Sequence, residues 1–301
     1  MTKPEFDVIV CGSLHLDVIV DAPHLPQLDE TVPGTKWGMV CGGKGGNQAV
    51  MATRLGSKTA MIGRIGDDDF GKKLHANLET WGVNTQAVST DDTAGSGMSV
   101  AVLDANGDYG AVIVSGSNLT LEPENSANDW AAIGGAGILI LQNEITEAVN
   151  ISVARQAKLS GATTILNAAP ARTNSDELLG LIDVLVVNRV EAQMLAGVAA
   201  SDATSAIAAL VHIENNCAAI IVTLGGDGLV VWQRGNAPIV IAPQKVKVVS
   251  THGAGDCFIG ALASYMASGN TLEAAARFAN RAAAHYVSLS LEARGKPFDF
   301  A

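Results

Sequence analysis

The sequence predicts an α/β fold, a doubly wound and mostly parallel sheet flanked by helices, with a small second sheet beside it. Three observations carry this. From Gly137 onward, compact β-branched runs alternate with helix-length runs, the pattern of right-handed βαβ units. Hydrophobic residues make up 48 % of the chain and aromatic residues only 4 %, so the core is rich in Ala, Val, Ile and Leu, as expected where helices pack on a parallel sheet. Between Met98 and Ser115, two strand-like runs flank Ala105-Asn106-Gly107-Asp108, a strong Asn-Gly hairpin signal.

In chain order, Phe6 to Cys11 is a compact β-branched run ending in Gly12-Ser13, a buried strand that delivers a loop. His15 and Asp17 follow on that loop or on the next short strand, Val18 to Val20. Alternation puts both on the same side of an extended chain. After a Pro-rich, irregular stretch, Cys41-Gly42-Gly43-Lys44-Gly45-Gly46-Asn47-Gln48 introduces a helix over 49–55. This string matches neither the Walker A pattern nor G-x-G-x-x-G. Glycines around Lys44 and Asn47 suggest a backbone that a small polar molecule approaches closely, the alternative being a Gly-rich loop without a ligand.

The spacing then predicts a strand over 58–65, an amphipathic helix over 70–81 ended by Gly82, and the hairpin strands 98–103 and 109–115. Together with runs at 16–20 and 33–40, these strands form a small antiparallel sheet within 14–40 and 96–116, placed as a lid on a single domain spanning 1–301. The second half reads as strand 138–141, helix 147–159, strand 163–167, helix 175–180, strand 183–187, helices 189–197 and 203–214, and strand 219–223. Ligands of doubly wound sheets bind beyond the carboxyl ends of the strands. The polar residues standing there are Asn143 and Glu144, Asn167, Asn188 and Glu191, and the run Thr223 to Gly228.

The stretch Ser250 to Ala261 closes an apolar run at 246–249, read as a strand, and opens a helix at 261–267, followed by a last helix over 271–289. Helix-start amides have no partner within the helix and lie at the positive end of its dipole, and Gly253, Ala254 and Gly255 leave room for an anion there. A carboxylate repels phosphate, so Asp256 in this place makes sense as a base that takes a proton from an attacking hydroxyl. The plainer alternative is that Asp256 caps the helix and the glycines turn the chain.

The net charge of -11 argues against a nucleic-acid surface, which needs a basic face. Cys11, Cys41, Cys217 and Cys257 stand singly, without metal-ligand spacing, and read as small buried thiols in a reducing compartment. No apolar stretch reaches the ~18 residues needed to span a bilayer, so a cytoplasmic location without membrane contact is expected. A Rossmann dehydrogenase would need glycines after the first strand that Cys11-Gly12-Ser13 does not supply.

Over nearly its whole length the chain resembles the ribokinase / phosphofructokinase-B (PfkB) family of sugar and nucleoside kinases, most of all its ribokinase branch. The resemblance rests on Gly12 to Asp17, GGKGGNQ at 42–48, Gly116-Ser117-Asn118, Gln142 to Glu144, the N-x-x-E string Asn188 to Glu191, Thr223 to Gly228, and THGAGDCF at 251–258. It implies ATP-dependent phosphorylation of ribose or a similar small sugar. Asp256 would be the base, and the amides of Gly253, Ala254, Gly255 and Asp256 the anion hole. His15, Asp17, Gly43, Lys44, Asn47 and Glu144 would hold the sugar. Asn188, Thr223, Gly225, Gly226, Gly228 and Asn280 would line the ATP, and Glu191 would orient Mg²⁺ through water.

Two residues depart from the family. His15 stands where the ribokinase branch has Asn, so the resemblance does not settle the substrate, and a nucleoside kinase or a fructokinase-type hexose kinase is the alternative. A sugar-binding regulator would need neither base nor metal. Ser250 stands where the family usually has the Asp that contributes to a monovalent-cation site. Little response to potassium is therefore expected, the loop being held by another positive group, His252 or a nearby Arg, or ordered without one. The apolar lid strands imply a homodimer.

Overall fold

A computed structural model of the chain describes residues 4–105, 109–213, 217–298 and 300. The Asn106-Gly107-Asp108 turn expected for the hairpin lies outside the described residues. The strands are β1 (Phe6–Cys11), β2 (His15–Asp21), β3 (Lys36–Gly42), β4 (Thr59–Gly66), β5 (Asn84–Asp91), β6 (Gly97–Leu103), β7 (Tyr109–Val114), β8 (Ala136–Gln142), β9 (Thr163–Asn167), β10 (Val184–Asn188), β11 (Ala219–Thr223), β12 (Leu229–Gln233) and β13 (Ile239–Ile241). The helices are α1 (Lys44–Arg54), α2 (Asp69–Thr80), α3 (Pro123–Ala132), α4 (Glu147–Ser160), α5 (Asp176–Leu179), α6 (Arg189–Ala196), α7 (Ala203–Ile213), α8 (Ala254–Ala267), α9 (Leu272–Ser288) and α10 (Leu291–Arg294).

Nine strands form one sheet in the order β13-β12-β11-β10-β9-β8-β1-β4-β5, parallel from β11 to β5 and antiparallel at β12 and β13. The central strands are apolar on both faces because helices cover both. Ile9, Cys11, Leu139, Leu141, Leu185 and Val187 enter one buried cluster, while Val8, Val10, Ile138, Ile140, Val184 and Val186 enter the other. The period of two along each strand thus divides one run of residues between two cores.

The crossing of α1 and α8 positions the catalytic edge. A Cβ on Gly260 of α8 would lie 2.7 Å from Met51 Cβ and 2.8 Å from the Gln48 carbonyl, so only glycine lets the two helices approach this closely. Four further strands form the separate sheet, in the order β3-β2-β6-β7.

Several expectations are corrected. The small sheet is not wholly antiparallel, since β2 pairs with β6 in parallel; α1, β4, α2 and β5 lie between them and supply the crossover. His15 and Asp17 lie within β2 rather than on the preceding loop. Helix α1 starts at Lys44 instead of 49, and α8 at Ala254 instead of 261, so each glycine-rich string is itself a first helical turn. Residues 246–249 are not a strand. Val248 and Val249 are 54 % and 55 % exposed, and the Val249 amide bonds to the Val287 carbonyl at the end of α9 rather than to a neighbouring strand. Cys41 is only partly buried. Edge strand β5, whose sequence is mostly polar, helix α3, which opens on Pro123, and the terminal hairpin β12–β13 carried no expectation.

Candidate active site

The parallel strands β1, β8, β9, β10 and β11 end on one edge of the sheet at Cys11, Gln142, Asn167, Asn188 and Thr223. Asp256 reaches the site from the first turn of α8, behind Gly253, which takes a left-handed φ of 76°. Its two carboxylate oxygens are held from α1: Asn47 Nδ2 donates to Oδ2 at 3.0 Å and Gln48 Nε2 to Oδ1 at 2.9 Å. Gln48 is oriented in turn by Gln142, whose Nε2 donates to Gln48 Oε1 at 2.8 Å. Burial raises the Asp256 carboxyl above the ordinary carboxylate range, the neighbouring Lys44 charge and the two amide bonds pull it back, and Glu144 adds a smaller upward push.

Around Asp256 the helix start is only partly open. The Ala254 amide bonds to the Thr251 carbonyl at 3.2 Å, so this member of the expected anion hole is occupied. Among the described residues, the amides of Gly253, Gly255 and Asp256 have no backbone partner. A Cβ on Gly255 would meet nothing within 4 Å and its φ is not positive, so neither packing nor strain calls for glycine there. The open space leaves room for an anion.

The expected sugar-side residues gather where β1, β2 and α1 meet. Glu144 accepts from the Ser13 hydroxyl and from the Lys44 amide, the latter at 2.9 Å. His15 Nδ1 lies 3.9 Å from the same Glu144 oxygen, and its Nε2 is buried without a partner. Asp17 Oδ1 accepts from Ser99 Oγ at 2.5 Å across the β2–β6 pair. Lys44 Nζ makes no hydrogen bond or ion pair among the described residues, yet its charge reaches both Asp256 and Glu191.

The glycines also have a reason within the chain. A Cβ on Gly43 would lie 2.7 Å from the His15 amide nitrogen, and one on Gly45 would lie 2.7 Å from both Ser13 N and Ser13 O. These two glycines let α1 seat against the 12–15 backbone, a close approach of chain to chain. Asn118 locks the same loop from the other side, accepting from the Leu14 amide and donating to its carbonyl at 2.8 and 2.9 Å.

On the nucleotide side, Asn188 and Glu191 form a complete capping box at the start of α6. Asn188 Oδ1 accepts from the Val190 and Glu191 amides, and Glu191 accepts from the Asn188 amide and from Asn188 Nδ2 at 2.7 and 2.8 Å. Glu191 is buried and its carboxyl is raised by that burial, with Asn188 and Lys44 acting in the opposite direction. Among the described residues no three His, Cys, Asp or Glu side chains converge, so an ion caged by protein alone does not fit. A buried carboxylate beside a phosphate site fits an Mg²⁺ that arrives on the nucleotide and keeps its waters.

Thr223 ends β11, its hydroxyl 3.4 Å from the Val187 carbonyl. Gly225 and Gly226 face open space, whereas a Cβ on Gly228 would lie 2.1 Å from the Ile241 carbonyl, so Gly228 serves the β12–β13 packing. Asn280 donates to the Ala242 carbonyl at 2.9 Å and ties α9 to the loop that leads back to Ser250. That loop is gripped at its far end by Arg294, which donates to the carbonyls of Ser250 and His252.

Sequence reasoning thus left out Gln48, Ser13 and Gln142, and expected a nearby Arg at the Ser250 loop without saying which; it is Arg294. The first three lie inside or beside strings already singled out. Arg294 carries no local signal, since it lies 38 positions after Asp256 and only the C-terminal fold brings it back.

A doubly wound sheet with a carboxylate at a helix start on its carboxyl edge, and a small β-sheet carrying polar residues toward the same place, suits a phosphotransferase with an alcohol acceptor. The chain belongs to the pfkB family of carbohydrate kinases, whose model matches residues 5–295. A ribokinase of Mus musculus is 36 % identical over 263 residues, covering 86 % of this chain and 81 % of that protein. A ribokinase of Bacillus subtilis (strain 168) is 35 % identical over 277 residues, covering 92 % and 91 %. The solved structure of Arabidopsis thaliana ribokinase complexed with ribose and ATP matches with a TM-score of 0.87 at 30 % identity, covering 100 % of both chains.

Proposed function

We propose that this chain is an ATP-dependent sugar kinase that transfers the γ-phosphoryl group to a hydroxyl of ribose or a similar small sugar. The observation that carries the reading is the Asp256 carboxylate, held on both oxygens by Asn47 and Gln48 at a helix start with open amides. The likeness to proteins named ribokinase, and to one solved with ribose and ATP, supports the same reading.

Asp256 takes the proton from the attacking hydroxyl, and the amides of Gly253, Gly255 and Asp256 receive charge that spreads over the equatorial oxygens. Glu144, Asp17, His15, Gly43, Lys44 and Asn47 position the sugar; the unpartnered Nε2 of His15 is a hydrogen-bonding group left for a hydroxyl. Asn188, Thr223, Gly225, Gly226, Gly228 and Asn280 make the nucleotide wall. Mg²⁺ carried on the ATP would supply neutralisation of phosphate charge, and Glu191 would hold it through water. The test is an ATP-consumption screen of the purified protein against pentoses, hexoses and nucleosides, with and without potassium. Turnover greatest with a pentose is expected; turnover on none of them overturns the reading.

Glu191→Gln keeps the side-chain shape and one of the two bonds from Asn188, and removes the buried charge. The magnesium concentration needed for half-maximal rate should rise and turnover should fall, with sugar binding in the absence of nucleotide unchanged. An unaltered magnesium dependence leaves Glu191 only its capping role.

The outer face of the small sheet supports a homodimer. Trp37 and Val112 stay 65 % and 69 % exposed there, with Met39 and Val114 on the same face also open to solvent. Sedimentation is expected to give a dimer at micromolar concentration, and a monomer throughout would refute that assembly.

A further inference from the structure

The carbonyl oxygens of Ser250 and His252 converge on a single positive group. Arg294 Nη1 donates to His252 O at 2.8 Å and Nη2 to Ser250 O at 2.5 Å. The residue is only 7 % exposed, and its guanidinium carbon lies 4.5 Å from the centre of the Tyr286 ring. Tyr286 in turn backs Gly253, where a Cβ would meet the ring at 3.2 Å. A buried guanidinium is costly to desolvate, so a chain that places one under its phosphoryl-binding loop holds it there by strong bonds.

Residues 242–253 contain neither strand nor helix and are tied down from α9 and α10. Asn280 holds the Ala242 carbonyl, the Val287 carbonyl accepts from the Val249 and Ser250 amides, and Arg294 holds Ser250 and His252. Of these tethers, Arg294 alone reaches residue 252. The C=O of His252 and the N–H of Gly253 belong to one planar peptide, so a bond that aims the carbonyl also aims the amide on the opposite side. The planar guanidinium fork constrains two acceptors at once, which a single ammonium does not do.

We infer that Arg294 is the positioning residue of the anion hole, an internal cation that neutralises two converging carbonyls and aims the Gly253 amide at the transferred phosphoryl group. This rests on the kinase reading of the Asp256 site. Because the guanidinium already occupies the position facing those carbonyls, the native protein needs no added monovalent cation, and its rate is the same in potassium and in a bulky ammonium salt at fixed ionic strength. Arg294→Met empties that position and leaves two carbonyl oxygens that suit a weakly hydrated cation.

The experiment compares native protein, Arg294→Met and Arg294→Lys. With a peptide plane misaimed, kcat of Arg294→Met should fall about 10²-fold, the scale of a misplacement near the reacting atoms, with the sugar KM nearly unchanged. Added guanidinium or potassium should restore part of that kcat, and neither should accelerate the native protein. Arg294→Lys keeps the charge and most of the stem, so it should fall between the two, and it serves as the test if the Met variant does not fold. Amide hydrogen exchange at 253–256 should be faster in both variants. Native kcat in Arg294→Met, or loss of kcat and sugar binding together without recovery by either cation, overturns the inference. If the native protein phosphorylates nothing, the kinase reading fails, and the exchange comparison still decides whether Arg294 orders this loop.

Discussion

Asp256→Asn is expected to lose roughly 10²–10⁴-fold in turnover, the range of a positioned general base, while sugar and ATP affinities stay within about tenfold of native because neither site is dismantled. The carboxylate oxygens are anchored at 3.0 and 2.9 Å by Asn47 and Gln48, so the base is held in place rather than swinging in solvent. In the variant, an amide NH₂ replaces an acceptor and leaves one of those donors unmatched, but the volume is conserved. Rate measurement beside titration calorimetry separates the two effects, and near-native turnover would remove Asp256 from its assigned role. The pH profile adds a second reading. Burial raises the Asp256 carboxyl, and a base works only when ionised, so turnover should rise with pH through a limb above the ordinary carboxylate range. That limb should vanish in Asp256→Asn.

Gly45→Ala is expected to cost both stability and activity. The added Cβ would lie 2.7 Å from Ser13 N and O and 2.8 Å from the Gly12 carbonyl carbon, all backbone, which cannot swing aside as a side chain can. Overpacking of this kind costs about 1–3 kcal/mol and at times more, so the melting temperature should drop by several degrees. The relief available is a displacement of α1, and α1 carries Asn47 and Gln48 to Asp256 and the Lys44 amide to Glu144. A shift of about 1 Å there is worth on the order of 10²-fold in kcat/KM. Thermal melts and steady-state rates check this, and a native melting temperature would show that α1 seats less rigidly on the 12–15 loop than these distances require.

Much of the fold was legible in the chain because its signals are local. Strand 163–167 and strand 219–223 have the expected bounds, helix 147–160 ends within a residue of expectation, and helix 203–213 starts where expected, its expected end at 214 lying outside the described residues. A buried parallel strand declares itself by a continuous β-branched run, and the glycine-rich strings announced two helices, although these begin within the strings rather than after them. Signals that depend on a partner failed. Residues 246–249 have strand-like composition but no strand to pair with, while polar β5 pairs with β4 because β4 offers it an edge. Pairing is a property of two segments, and one segment's pattern cannot report it.

The chemistry divides along the same line. Lys44, Asn47, Glu144, Asn188, Glu191 and Asp256 stand out in the sequence by itself as polar residues at strand ends and in glycine-rich strings, and the resemblance to the family supplies the class of reaction they suit. Which atoms meet was decided by tertiary structure. Gln48 holds Asp256 because Gly260 lets α8 lie against α1, and Gly43 and Gly45 are glycine because the 12–15 backbone passes within van der Waals range. Arg294 comes under the Ser250–His252 loop because Tyr286 and Phe298 help pack the C-terminal segment against α9. Each of these is a contact between segments far apart in the chain, fixed by close packing in three dimensions and carrying no period or spacing in one.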